Sequence, residues 1–308
     1  MKKLKVLKTG DTIGLICPSS AEDPEKIKYG IELIKSFGFN IKEGNHIYDR
    51  KGYLAGEDRH RAEDLMNMFK DPEVDMVLCI RGGYGAMRIL PYLDFSVIAD
   101  NPKIFMGFSD VTVLLNNIYK QCNFPTFHGP MGTSNLKDEH TFRSFMDSIK
   151  CIKEEKHIIK NPVDIKSFPL IKGKAIGNLV GGNLCLICST LGTPYEIDFE
   201  NNILFIEDIG ESPYKIDRML TQLLLSGKIQ KCSGVILGGF TDCELKNHTN
   251  SLTLDEVFTD RLLNLNIPIL SNFSSGHCYP KLTIPIGTKI SLDSEKGEIE
   301  VLENILVG

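Results

Sequence analysis

The chain has 308 residues, a length at which roughly 75% of the unfolded surface is buried and one core often divides in two, so one or two globular domains are expected. Hydrophobic residues at 42% and charged residues at 24% are ordinary globular values, which exclude disorder, collagen-like repeats and coiled coil. A formal net charge of −5 provides no field to gather nucleic acid or anionic lipid, so neither is expected as a partner.

The basic start Met1-Lys2-Lys3-Leu4-Lys5-Val6 is interrupted by Gly10 and Asp11 before a signal-length apolar segment accumulates. No segment reaches the ~18 consecutive apolar residues of a membrane helix. A soluble, cytoplasmic protein is expected. The nine cysteines are odd in number and scattered, which suits reduced thiols better than a disulfide framework. Cys185 and Cys188 form the lone CxxC, and the apolar run around them points to buried structural thiols.

The first half alternates strand and helix signals. Thr12 to Cys17 reads as a buried strand stopped by Pro18, and Asp23-Pro24 opens a helix with Ile27, Ile31 and Ile34 on one face. After Gly38 come a short strand at Phe39 to Ile41, a helix from Arg59 to Phe69 and a strand from Val74 to Ile80. That strand runs into the glycine turn Arg81-Gly82-Gly83-Tyr84-Gly85, and the next, Lys103 to Gly107, turns at Phe108-Ser109-Asp110 into a helix from Val111 to Tyr119. Such units favour a parallel sheet covered on both faces. Periodicity fails between Cys151 and Lys172, which gives an N-terminal domain at 1–150, a linker at 151–172 and a C-terminal domain at 173–308.

In the second domain Asn202 to Ile206 is a strand, Ser212-Pro213 opens a helix closed by Gly227, and Gly234 to Phe240 is another strand. Thr253 with Glu256 makes a capping box, and strands near Ile269, Ile290 and Ile299 follow. The expected fold class is α/β: a parallel-sheet N-terminal domain with a nucleophile elbow, and a mixed, partly antiparallel C-terminal domain.

The glycine turn matches neither GxGxxG nor a P-loop, so nucleotide binding is the weakest of three readings, behind a backbone-amide site for an oxyanion and a turn that only glycine fits. Ser109 sits at a strand-turn-helix junction that can raise a nucleophile above a sheet, although it can equally be a helix N-cap. A serine nucleophile needs a base and an orienting group. Of the seven histidines, His46, His60, His140, His157 and His248 read as surface residues. His128 is a candidate to line a cleft, and His277, in the small loop Ser274-Ser275-Gly276-His277 after a strand from Ile267 to Phe273, is the better base. Glu207 and Asp208 end a buried strand. Alternation sends them to opposite faces, so one of the two addresses the site and a surface turn acid is the competing reading.

Taken in order, Arg81-Gly82-Gly83-Tyr84-Gly85, Gly107-Phe108-Ser109-Asp110, His128-Gly129-Pro130, Gly181-Gly182-Asn183-Leu184, Phe205-Ile206-Glu207-Asp208, Tyr214-Lys215-Ile216-Asp217-Arg218 and Ser275-Gly276-His277 resemble the LD-carboxypeptidases, a family that includes the microcin C self-immunity peptidases. The resemblance runs along nearly the whole chain. It implies a serine peptidase with Ser109 as nucleophile, His277 as general base and Glu207 as its orienter. It also implies a site at the domain interface, commonly in a homodimer, and no metal or other cofactor. The expected reaction is release of the terminal D-Ala from murein tetrapeptide in peptidoglycan recycling. A peptidyl-nucleotide antibiotic is the alternative substrate, and a non-catalytic muropeptide binder would need no triad. The absence of Trp counts against a microcin-type stacking loop. The backbone N–H groups of Gly83 and Asp110 are candidates for an oxyanion hole. Arg81, Arg88 or Lys281 are candidates for the substrate carboxylate, with His128 as a further substrate-binding candidate.

Overall fold

The computed structural model describes residues 1–150, 157–245 and 250–308. The chain forms two compact units, one of Met1–Glu154, Thr283–Gly287 and Asn304–Gly308, the other of Glu155–Leu282 and Thr288–Glu303.

The first unit is built on a six-stranded sheet in the order Ile284–Ile286, Thr126–His128, Ile104–Gly107, Met76–Cys79, Thr12–Ile16, Asn40–Glu43. All neighbours are parallel except the first pair. The central strands are buried on both faces, which explains their continuous apolar sequence. Their sides carry amphipathic helices. Pro24–Ser36 buries Ile27, Ile31 and Ile34 and is capped by the Asp23 side chain on Glu25 N, as Asp23-Pro24 predicts. Phe69 packs near Phe105 and Phe124 with ring centroids 5.9 and 6.4 Å away, all three fully buried, and each such side chain contributes about 1.5–3 kcal/mol by leaving water.

The strand order reverses within this sheet. From Thr12–Ile16 the chain moves to the Asn40–Glu43 neighbour, then crosses to Met76–Cys79 on the other side. The carboxyl ends of Thr12–Ile16 and Met76–Cys79 therefore diverge into loops on opposite sides, the crevice where open α/β sheets bind ligands. The glycine turn begins there.

The second unit has an eight-stranded sheet in the order His157–Lys160, Glu298–Val301, Lys289–Asp293, Lys174–Asn183, Ile203–Ile209, Gly234–Thr241, Ile269–Ser271, Phe168–Ile171. Its four inner strands from Lys174–Asn183 to Ile269–Ser271 are parallel and the outer ones antiparallel, so the fold is a two-domain α/β fold with a mixed second sheet.

Two boundaries read from the sequence differ from this arrangement. Within 151–172, His157–Lys160 and Phe168–Ile171 are edge strands of the second sheet, while 151–156 lie outside the described residues. Edge strands of four residues with alternating or weak burial carry too little apolar periodicity to be seen in isolation. The chain's end also returns to the first unit, because Ile284–Ile286 pairs with Thr126–His128 and Leu306–Val307 pairs with Leu4–Lys5.

Candidate active site

At the end of Ile104–Gly107 the chain passes through Phe108 into Ser109, which adopts φ 65° before the short helical turn that leads into Thr112–Cys122. Left-handed backbone in a serine costs of the order of 1–3 kcal/mol and persists only where the surroundings impose it. The next residue, Asp110, is anchored. Its buried carboxylate accepts from Ala86 N at 2.7 Å, tying the Ser109 turn to the helix that follows the glycine turn, and burial raises its pKa above the usual carboxylate value. Ser109 thus occupies a strand-turn-helix junction, two residues before Val111, the cap residue of Thr112–Cys122.

The glycine turn lies against this serine. A Cβ built on Gly82 would sit 2.8 Å from Ser109 Cβ and 3.0 Å from its Oγ, so only glycine admits the approach. Tyr84 N donates to Ser20 Oγ at 3.0 Å. Arg61 supports the turn from below. It is buried to 1% exposure and donates to the carbonyls of Pro18 and, at 2.9 Å, Gly85, so one guanidinium joins the loops at the sheet's reversal point. Sequence reading gave Arg61 no role, because an arginine in an amphipathic helix reads as solvent-facing.

In the second unit Ile203–Ile209 carries Glu207 and Asp208 at its carboxyl end, 0% and 2% exposed. Neither is a surface acid. They point to opposite faces, as strand alternation requires. Glu207 Oε2 lies 2.6 Å from His277 Nδ1 and also accepts from His277 N at 3.1 Å, so the ring and its backbone are held by one buried oxygen. Gly276, at φ +107°, makes room for this: a Cβ there would lie 2.6 Å from Glu207 Oε2. Asp208 instead accepts from Asn183 Nδ2 at 2.9 Å and Cys185 N at 3.0 Å, serving the first turn of Leu184–Ser189. Burial raises its pKa to about 6.

The His277 loop, read from sequence as small and flexible, is locked. Ser274 Oγ donates to Pro280 O at 2.6 Å, Ser275 Oγ donates to Leu282 O at 2.8 Å, and the buried Lys281 ammonium donates to Gly276 O. Lys281 is therefore committed to the loop, and burial lowers its pKa to about 8. Arg88 is committed too, with three hydrogen bonds of 2.8–3.0 Å to Asp58. Arg81 remains half-exposed, bonded to Ala21 O at 3.3 Å and lying 3.6 Å from Glu22. His128 lines no open surface. It is fully buried in its strand, edge to face with Phe108 at 5.9 Å, beneath the Ser109 turn. Cys188 is buried and its thiol is pushed up to about 12, so it is not a nucleophile at neutral pH.

The first unit's residues 13–129 match the LD-carboxypeptidase N-terminal domain, and residues 176–292 match the LD-carboxypeptidase C-terminal domain. The chain belongs to the LD-carboxypeptidase family. A probable murein peptide carboxypeptidase of Bacillus subtilis is 41% identical over 292 residues, covering 95% of this chain and 92% of that protein. Among solved structures, the microcin C7 self-immunity protein MccF superposes with a TM-score of 0.92 at 26% identity, covering 100% of both chains. Muramoyltetrapeptide carboxypeptidase from Oxalobacter formigenes superposes with a TM-score of 0.82 at 29% identity, over 94% of this chain and 97% of that one.

Proposed function

We propose that the protein is a serine-type LD-carboxypeptidase that releases the terminal D-Ala of murein tetrapeptide. The observation that carries the reading is the Glu207–His277 pair, a buried carboxylate fixing an imidazole through Nδ1 at 2.6 Å. Held in this way, the ring's other nitrogen, Nε2, is the one left to act as base. The names of the murein relatives support the substrate.

In the proposed reaction Ser109 Oγ attacks the carbonyl of the third residue while His277 Nε2 takes its proton. The resulting oxyanion is received by the N–H groups of Gly83 and Asp110, the latter in the first turn of a helical segment. His277 then protonates the D-Ala amine as it leaves, and the same imidazole activates the water that hydrolyses the acyl-enzyme. Glu207 holds the imidazole and stabilises the imidazolium. The bare Cα of Gly82 supports the oxyanion assignment, since a Cβ there would lie 3.0 Å from Ser109 Oγ and 3.3 Å from Asp110 N. Arg81, beside the glycine turn, is the proposed partner of the substrate's terminal carboxylate, and Glu22 at 3.6 Å is the group that carboxylate would displace.

The proposal includes an L-centre at the third residue. Inverting that centre exchanges a side chain with a hydrogen, and a displacement of about 1 Å at the carbonyl costs ~100-fold in rate. Recycled free tetrapeptide in the cytoplasm is the proposed substrate pool, and a homodimer the proposed state. The superposition on MccF favours one second reading, hydrolysis of a peptidyl nucleotide. Mass spectrometry of digests of tetrapeptide, pentapeptide and a peptidyl-adenylate analogue separates the readings. Release of D-Ala from tetrapeptide alone is expected. Comparable cleavage of the D-Ala-D-Ala bond, or turnover of the adenylate alone, would remove the substrate assignment.

A further inference from the structure

Beyond the candidate active site, the first unit brings together three residues that the sequence leaves apart. His46 and Asp49 lie in the loop after Asn40–Glu43, and His60 lies in the first turn of Asp58–Lys70. Their ligand atoms fall within 4.8 Å of one another. Asp49 Oδ2 is 2.9 Å from His46 Nδ1 and 3.5 Å from His60 Nδ1. Tetrahedral coordination with bonds of ~2.0–2.1 Å sets ligand atoms about 3.3 Å apart, between these two values.

We propose that His46, Asp49 and His60 form a zinc site, with water in the fourth position, that fastens the loop to the helix start. Two imidazoles and one carboxylate are a donor set for a zinc-like ion and a poor one for magnesium or calcium, which take oxygen ligands. The two imidazole rings stack with centroids 4.1 Å apart and 18° between planes, which sets His46 and His60 side by side next to Asp49. His60 Nδ1 is buried without a hydrogen-bond partner, the condition a metal would relieve.

The support behind the ligands is built as well. Asp64 accepts from Asn45 N and His46 N, both at 2.9 Å, which fixes the backbone that carries His46. Gly56, at φ +84°, admits Asp49 closely, since a Cβ there would lie 2.7 Å from Asp49 Cβ. The site is partly exposed, with His46, Asp49 and His60 side chains 23%, 41% and 44% accessible, so an ion can enter without unfolding.

The test is calorimetric titration of Zn²⁺ into the full-length, tag-free protein after chelator stripping. One ion per chain with a Kd of about 10 μM or tighter is expected. Loss of even an outer partner typically costs ~10–100-fold in metal affinity, so His60→Ala and Asp49→Asn should each weaken binding at least about tenfold. Zinc should raise the unfolding temperature of the unsubstituted protein and not that of His60→Ala. Absence of binding at about 100 μM zinc, or binding that both substitutions leave unchanged, overturns the site; the latter result would place zinc on the cysteines instead.

Discussion

The Ser109 turn and the Glu207–His277 pair are built by different physics. Around Ser109 the backbone does the positioning: a left-handed serine and a glycine against its side chain. Around His277 side chains do it. One buried carboxylate, a buried lysine and two buried serine hydroxyls each satisfy a specific partner. The comparison teaches where each half is vulnerable. The first half fails when volume is added, and the second when charge is removed or hydrogen bonds are broken.

The sharpest way to break the comparison is to remove the hydroxyl. Ser109→Ala should lower kcat on the order of 10⁴ to 10⁶-fold while circular dichroism stays native, and chelator should leave turnover of the unsubstituted enzyme unchanged. Retained turnover in that variant ends the serine mechanism.

On the side-chain half, Glu207→Gln keeps shape and removes charge. A loss on the order of 10² to 10⁴ in kcat is expected from weaker orientation and imidazolium stabilisation. Asp208→Asn should cost less, because Asp208 serves Asn183 and Cys185 on the other face. Steady-state kinetics of the pair decides the assignment, and a larger loss at Asp208 reverses it.

The backbone half is probed by added volume. Gly82→Ala places a methyl 2.8 Å from Ser109 Cβ and should displace the nucleophile by a few tenths of an ångström to 1 Å. That predicts a fall of roughly 10- to 100-fold in kcat with an unfolding midpoint close to wild type. A large loss of stability with no kinetic effect would show that the turn does not serve Ser109.

The smallest expected effect is thermodynamic. Burial lowers the Lys281 pKa from 10.5 to about 8, so between these values the folded protein binds fewer protons than the unfolded chain and stability rises with pH. Below pH 8 the lysine is charged in both states and its contribution is flat. Denaturant titrations across pH 8 to 10.5 should show wild type gaining up to about 3 kcal/mol relative to Lys281→Met. Parallel curves would mean that the ammonium is solvated.

The sequence by itself determined the strand and helix rhythm of the first unit, the helix starts at Asp23-Pro24 and Ser212-Pro213, the capping box at Thr253 and Glu256, and the α/β class. These are written locally, in periodicity of 2 or 3.6 residues and in capping chemistry. The motif order that marks the family was also legible along the chain, and with it Ser109, Glu207 and His277 as residues to examine. What alternation left open, whether Glu207 or Asp208 faces the histidine, is a question of register and of what lies beyond the strand's end. The family resemblance already names Glu207, and the folded second sheet supplies the physical reason, with Gly276 against Glu207 and its Oε2 on His277 Nδ1. The burial of Arg61 and His128, the edge strands inside the expected linker and the meeting of His46, Asp49 and His60 were decided by tertiary structure. In each case the partners are distant in sequence or the periodic signal is short, so no local pattern could carry the information.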